Sequence, residues 1–144
     1  MNAKNYLSEY QWASKEARSL LDSIETIQTR LESTAAKQLE AEGAQHSPSG
    51  RDIQSELIIR KVELEEILLR KYKEILRKRE QIEGVIEQVE SGRERTLLRM
   101  RYIQCMKWEE ICVAIGYEWT QTHSIHGKAL KEVEQILDAK SKSE

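Results

Sequence analysis

The apolar residues of the first third of the chain recur at alternating spacings of four and three. The series consists of Tyr6, Tyr10, Ala13, Ala17, Leu20, Ile24, Ile27 and Leu31. This spacing places all of them on one stripe of an α-helix, which requires a second helix to cover it. A second series contains Leu68, Tyr72, Ile75, Ile82, Ile86 and Val89, with Arg79 interrupting it. The two series predict long helices over residues 4–42 and 52–90.

The segment between these helices contains the only proline of the chain. It reads Gly43-Ala44-Gln45-His46-Ser47-Pro48-Ser49-Gly50, and its composition predicts a loop at 43–51. Two helices of equal length joined by a short loop indicate an antiparallel hairpin. The apolar residues at Leu57–Leu69 exceed what one seam requires, so we expect residues 1–91 to form a homo-oligomer, a dimer in the simplest case. In the alternative, the chain is a monomer whose C-terminal part packs back onto the hairpin.

Residues 92–144 contain three shorter helical patterns. The first lies over Leu97–Ile103 and carries apolar residues on one side. The second lies over Trp108–Ile115, and the acidic pair Glu109-Glu110 occupies its first turn, where the helix dipole favours negative charge. We expect Gly116 to supply the positive φ that ends this second helix.

The third pattern follows Tyr117 and extends into a longer helix. Its predicted buried residues are Ile125, Ala129, Leu130, Val133, Ile136 and Leu137. Trp119–Ser124 then form an exposed front end, which is how a helix-turn-helix presents side chains to the major groove. The predicted fold is all-α, with a long antiparallel helical hairpin (a coiled coil) in residues 1–91 and a small helix-turn-helix domain in residues 92–144.

This C-terminal segment resembles the fourth conserved region of bacterial primary sigma factors. The matching residues are Leu98-Arg99-Met100-Arg101-Tyr102, Trp108-Glu109-Glu110-Ile111, Ile125 and Lys128-Ala129-Leu130. The whole chain is also similar to small phage proteins described as transcriptional regulators related to activators of late genes. The pieces that carry this similarity are Ser47-Pro48-Ser49-Gly50, Trp108–Ile111, Gly116-Tyr117 and His126–Leu130. The resemblance implies a protein that acts on double-stranded DNA in the cytoplasm of a bacterial host.

The resemblance also implies a set of DNA-contacting residues. The candidates are Arg99, Arg101, Trp119, Thr120, Gln121, His123, Ser124 and Lys128. Relatives and sigma factors carry arginines in the first turns of the recognition helix, but here no Lys or Arg occurs from Glu118 to Gly127. Arginine is the commonest bidentate reader of guanine, so its absence lowers the expected affinity. Cys105 occupies a position where relatives often have a turn glycine, so we expect a strained turn before Trp108.

The charge of the chain is unlike that of a compact DNA-binding domain. The net charge is −2 and the pI is near 6.0, whereas such domains are strongly basic. Two local clusters are basic: Arg70–Arg79 has six basic residues and one acidic residue, and Arg93–Lys107 has five and one. These clusters are candidate phosphate contacts, although a solvated helix face explains Arg70–Arg79 equally well.

The sequence contains no pattern that predicts catalysis or a cofactor. It lacks a phosphate-binding glycine loop, a Gly-x-Ser-x-Gly and a His-Glu-x-x-His motif. Cys105, Cys112, His123 and His126 do not have the spacing of a zinc site, so we expect no metal. No apolar run or leader pattern predicts a membrane segment or secretion, which favours the cytoplasm.

Two functional hypotheses remain. In the first, the chain is a phage transcriptional regulator that dimerises through its N-terminal helices. In the second, it is a protein-interaction module whose helix-turn-helix has lost its DNA contacts and binds RNA polymerase or another phage or host protein. A third hypothesis, a DNA-packaging subunit, is less consistent with the order of the chain, because those proteins usually carry the motif at the N-terminus.

Overall fold

The computed structural model describes residues 2–40 and 48–144, with side chains described from residue 52 onward in the second range. The described residues form five α-helices and no strand, which confirms the predicted all-α class. The helices are α1 (Ala3–Glu40), α2 (Pro48–Glu87), α3 (Gly92–Leu98), α4 (Trp108–Ile115) and α5 (Trp119–Lys142), and a π-helical turn covers Arg99–Ile103. None of the described helices has an apolar stretch long enough to cross a bilayer.

The two long helices begin and end close to their predicted bounds. α2 begins at Pro48 rather than at residue 52, and proline suits the first turn of a helix because the amide it lacks has no partner there. The predicted loop at 43–51 therefore overlaps the start of α2 at 48–51, and its residues 43–47 lie outside the described part of the chain. Beyond the end of α2, Arg95 Nη1 donates to the carbonyls of Val89 and Glu90 at 2.6 and 2.8 Å.

The chain divides into two compact units. Unit 1 contains Met1–Ser14 and Glu74–Glu144, and unit 2 contains Lys15–Lys73. Unit 1 therefore combines the start of α1 and the end of α2 with α3, α4 and α5. The predicted division into a hairpin at residues 1–91 and a helix-turn-helix domain at residues 92–144 stays a prediction.

In unit 2 the predicted α1 stripe is buried within the chain. Its members Ala17, Ile24 and Ile27 are buried, as are Leu64 and Leu68 of α2. Polar contacts join the same two helices: Lys71 Nζ lies 3.2 Å from Glu16 Oε1, and Gln38 Nε2 donates to Gln54 Oε1 at 3.3 Å. The α1 stripe therefore has its cover inside one chain.

Unit 1 has two apolar clusters, and α5 contributes to both. The larger cluster consists of Ala3, Leu7, Ile82, Val85, Ile86, Val89, Leu98, Tyr102, Ala129, Val133 and Leu137. The smaller one consists of Leu97, Ile111 and Ile125, with Met100, Met106, Trp108, Ile115 and Tyr117 packed against it. Four of the six residues predicted to be buried on α5 are buried, and the other two, Leu130 and Ile136, are half-buried against the larger cluster.

Local signals explain where α3 begins and how the chain turns into α4. The side chain of Ser91 accepts a hydrogen bond from the Glu94 amide, and a Ser-x-x-Glu sequence commonly starts a helix in this way. After the π-helical turn, Cys105 has φ 55 and is exposed. This left-handed backbone confirms the strained turn expected before Trp108, because a side chain disfavours the conformation that glycine adopts freely.

We predict that substitutions at Cys105 change stability through the backbone. Cys105→Gly should leave the free energy of unfolding unchanged or raise it, whereas Cys105→Val should lower it by about 1–2 kcal/mol, because a β-branched residue tolerates this conformation poorly. The neighbouring Gln104, at φ −86, provides the matched control Gln104→Val, which should have a smaller effect. Urea denaturation measures all three variants, and an equal loss for both valine variants would contradict the account.

Candidate nucleic-acid interface

A three-residue connection joins α4 to α5. Gly116 has φ 75, as the sequence predicted, and its amide donates to the Cys112 carbonyl at 3.0 Å. The Tyr117 amide donates to the same carbonyl at 3.3 Å, and the Glu118 carbonyl accepts from the Thr122 amide at 2.9 Å. These bonds end one helix and start the next with no further loop. The positive φ makes glycine the suitable residue at position 116.

Beyond this connection, one face of α5 exposes polar side chains. Thr120, Gln121, Ser124 and Lys128 are all exposed. On a helix with 3.6 residues per turn they fall within an arc of roughly 100°. The opposite side of the helix is buried at Thr122, Ile125, His126 and Ala129. The structure therefore brings four of the eight predicted DNA-contacting residues onto one exposed helix face.

His123 and Trp119 lie beside this face and pack against each other. The ring centroids of Trp119 and His123 are 4.4 Å apart, and those of His123 and Trp108 are 4.5 Å apart. Trp119 remains 52% exposed, whereas His123 is half-buried between the two indoles. His123 therefore packs between α4 and α5, and only Trp119 of this pair offers a large surface to a ligand.

The predicted phosphate contacts Arg99 and Arg101 already have partners within the chain. Arg101 Nη1 donates to the Met106 carbonyl at 2.9 Å, and its guanidinium lies 4.8 Å from the centroid of Trp108. These contacts hold the turn that precedes α4. Arg99 forms an ion pair with Glu87 at the end of α2. These arginines therefore stabilise the packing of unit 1, and none lies on the exposed face of α5.

Arg93 and Arg95 of the same basic cluster are also occupied. Arg93 donates to the Tyr117 hydroxyl at 3.4 Å and lies over the ring at 5.6 Å. Arg95 binds the carbonyls that follow α2, as described above. Four of the five basic residues of Arg93–Lys107 therefore make contacts within the chain, so binding phosphate would require these guanidinium groups to give up or share existing partners.

A buried hydrogen bond links the π-helical turn to α5. Tyr102 Oη lies 2.7 Å from His126 Nε2, and the centroid of the His126 ring lies 4.6 Å from that of Trp108. Burial, together with the nearby His123, Lys4 and Arg101, lowers the pKa of His126 to about 4. Burial raises the pKa of Tyr102 to about 12. Both groups are therefore neutral at pH 7.

Sequence reasoning did not identify Tyr102 as the partner of His126. The two residues are 24 positions apart, and each has only the signal of lying on an apolar helix face. The hydrogen bond fixes the rotation of α5 about its own axis relative to the turn before α4. The direction in which Thr120, Gln121 and Ser124 point depends on this rotation.

The chain matches a protein-family model. Residues 30–134 match the family described as "Protein of unknown function (DUF1492)". No curated protein and no solved structure matches the chain significantly. The matched range begins within α1, contains α2, α3 and α4, and extends through most of α5, so the candidate face lies within it.

We predict that His126 makes stability depend on pH between about 6.5 and 4. The unfolded chain takes up a proton at His126 in this range and the folded chain does not, because the folded pKa is the lower one. The stabilisation is therefore complete above pH 6.5 and is lost as the pH falls to 4, by up to about 1.4 kcal/mol per pH unit. His126→Asn should remove this part of the slope, whereas the exposed control Gln121→Asn should keep it. Equal slopes for wild type and His126→Asn in urea titrations would refute the assignment.

Proposed function

This chain belongs to the DUF1492 family, and we propose that it is a phage transcriptional regulator that binds double-stranded DNA. In this proposal α4 and α5 form a helix-turn-helix, and α5 is the recognition helix that enters the major groove. The observation that carries the proposal is the polar row on α5. Thr120, Gln121, Ser124 and Lys128 are exposed on one face, directly after a three-residue connection, while the other face is anchored in the core.

The chemistry of this row suits the edges of base pairs. A glutamine at position 121 binds the adenine edge with two hydrogen bonds, and the hydroxyls of Thr120 and Ser124 donate or accept according to the base. Lys128 lies further along the same face and is suited to a phosphate, as is the exposed Lys131. The row predicts a preference for A·T-containing sites, because the side chains that read guanine best are absent from it.

The other predicted contacts receive different roles in this proposal. Arg101 supports the turn before α4, since its guanidinium binds Met106 and lies on Trp108. The His123 ring packs against the Trp119 ring and supports it. Arg99 remains a candidate phosphate contact, for which DNA competes with Glu87. Trp119 is exposed at the edge of the row, where its indole can contact a sugar or a thymine methyl group.

The N-terminal helices act in the proposal as a dimerisation arm. The ion pair Glu16–Lys71 joins an earlier position of α1 to a later position of α2. The hydrogen bond Gln38–Gln54 joins a later position of α1 to an earlier position of α2. This order of contacts supports an antiparallel hairpin. The α1 stripe is covered within the chain, so the arm has to dimerise through other residues. Apolar side chains that α2 exposes, among them Val62 and Leu69, are available for this contact. Two copies would give the two helix-turn-helix segments the two-fold symmetry that operators commonly have.

A second function, binding of a protein rather than DNA, is favoured by one group of exposed residues. Val113 of α4 is 84% exposed and Trp119 is 52% exposed. Glu109, Glu110 and Glu118 are exposed in the same two-helix segment, and their charge repels phosphate. An apolar and acidic surface suits a basic partner, for example a polymerase subunit or another phage or host protein.

The first prediction concerns the polar row. Gln121→Ala should cost about 1–3 kcal/mol of discrimination at one base pair of the preferred site, because it removes a bidentate contact. Lys128→Ala should weaken binding to all sequences alike and reduce the salt slope by about one. Gln135→Ala and Lys140→Ala change the same residue types at exposed positions far along α5 and should have no effect. Fluorescence anisotropy measures the affinities, and equal losses for the test and control pairs would remove α5 from the interface.

The second prediction separates DNA binding from protein binding. Trp119→Arg combined with Ser124→Arg should tighten DNA binding, because it adds two contacts to phosphate or guanine at the front of α5. The control Gln135→Arg with Ser141→Arg adds the same charge elsewhere and should change affinity much less. If α5 binds a protein instead, the first variant should gain nothing on DNA and lose its partner in a pull-down from infected cells, since an aromatic anchor is gone.

A further inference from the structure

One face of α2 carries a stripe of exposed apolar side chains. The stripe consists of Ile58, Val62, Leu69, Tyr72 and Leu76. On a helix with 3.6 residues per turn they fall within an arc of roughly 80°. A stripe of this kind, with heptad spacing between Val62, Leu69 and Leu76, is the seam of a coiled coil that has a further helix to bind.

Among the described residues, the fold of a single chain leaves this stripe exposed. The side chains with which α2 contributes to the core, including Leu64, Leu68 and Ile75, point in a different direction and are buried. By the same helical geometry, the buried face lies roughly 100° around the helix from the stripe. Exposed apolar stripes of this length are uncommon on monomers and generally mark an interaction surface.

The charges along α2 identify the occupant. Residues 55–66 carry four acidic and two basic side chains, whereas residues 68–79 carry six basic and one acidic. Two copies of α2 paired in parallel would align the basic segment with itself, which is repulsive. Two copies paired antiparallel place each acidic segment against a basic one. The helix is therefore complementary to itself in one orientation.

We infer that the stripe on α2 binds the same stripe of a second copy of this chain, antiparallel, about a two-fold axis near Ile67. In this arrangement Ile58 faces Leu76 of the second copy, and Val62 faces its Tyr72. The inference rests on the dimerisation included in the proposed function, and it does not depend on DNA binding.

Glu65 is the charged residue within the stripe, and the same arrangement accounts for it. In the folded chain Glu65 lies 3.5 Å from Lys61 on its own helix. Antiparallel pairing about Ile67 brings it to the level of Leu69 and Arg70 of the second copy, so that a positive charge stands nearby. A parallel pair would instead place the two Glu65 side chains against each other.

Cysteine cross-linking tests the orientation. In a background of Cys105→Ser and Cys112→Ala, the double variant Val62→Cys with Tyr72→Cys should form a covalent dimer under mild oxidation. Each single variant should not, because in the antiparallel pair like positions lie about 15 Å apart along the axis, beyond the reach of a disulfide. Cross-linking of each single variant to itself would show a parallel pair and overturn the inference.

Light scattering tests the surface itself. Wild type at tens of micromolar should be a dimer, and Leu69→Glu should be a folded monomer, since Leu69 is 57% exposed and its loss leaves the core intact. Ile53 is 54% exposed on the same helix, roughly 140° around from Ile58, so the control Ile53→Glu should remain a dimer. A monomeric wild type, or a dimer that survives Leu69→Glu, would overturn the inference. Neither result bears on whether the α4–α5 segment of one copy binds DNA, which the titrations of α5 variants decide separately.

Discussion

The burial of one face of α5 is the constraint on which the rest of unit 1 depends. Ala129, Val133 and Leu137 pack with residues from both long helices, and Ile125 packs with Leu97 and Ile111. Between these two clusters, the Tyr102–His126 hydrogen bond fixes how α5 is rotated. Because α5 is held along its length in this way, one face of its first turns is buried and the other stays exposed. Because the core buries one face of α5, the opposite face is exposed.

The need to hold short helices together explains where the arginines of unit 1 lie. The short helices of unit 1 are held together by guanidinium groups that bind carbonyls, a carboxylate and aromatic rings. The front of α5 has uncharged hydrogen-bonding side chains instead. In the proposed function, a surface of this kind would bind DNA through base edges more than through phosphate, and two copies would be needed for affinity.

The sequence predicted the elements better than their contacts. The heptad series predicted α1 and α2, and Gly116 predicted the break before α5, because these signals are local and periodic. The sequence did not predict that Leu7 at the start of α1 packs in one cluster with Val133, nor that Arg101 supports Trp108. Such contacts depend on which distant faces meet, and an arginine that stabilises a turn looks the same in a sequence as one that binds phosphate. The sequence predicted that the α1 stripe needs a helix to cover it, and the structure supplies that cover within the chain.

The central claim is that this fold presents α5 to DNA, and the most direct test is an anisotropy titration of the wild-type chain. Labelled fragments covering the genome that encodes it would be titrated at two salt concentrations. The account predicts that one fragment or a few bind more tightly than the rest, and that raising the salt weakens all binding. If no fragment showed salt-dependent binding, the result would contradict the DNA-binding proposal and leave α5 as a surface for a protein.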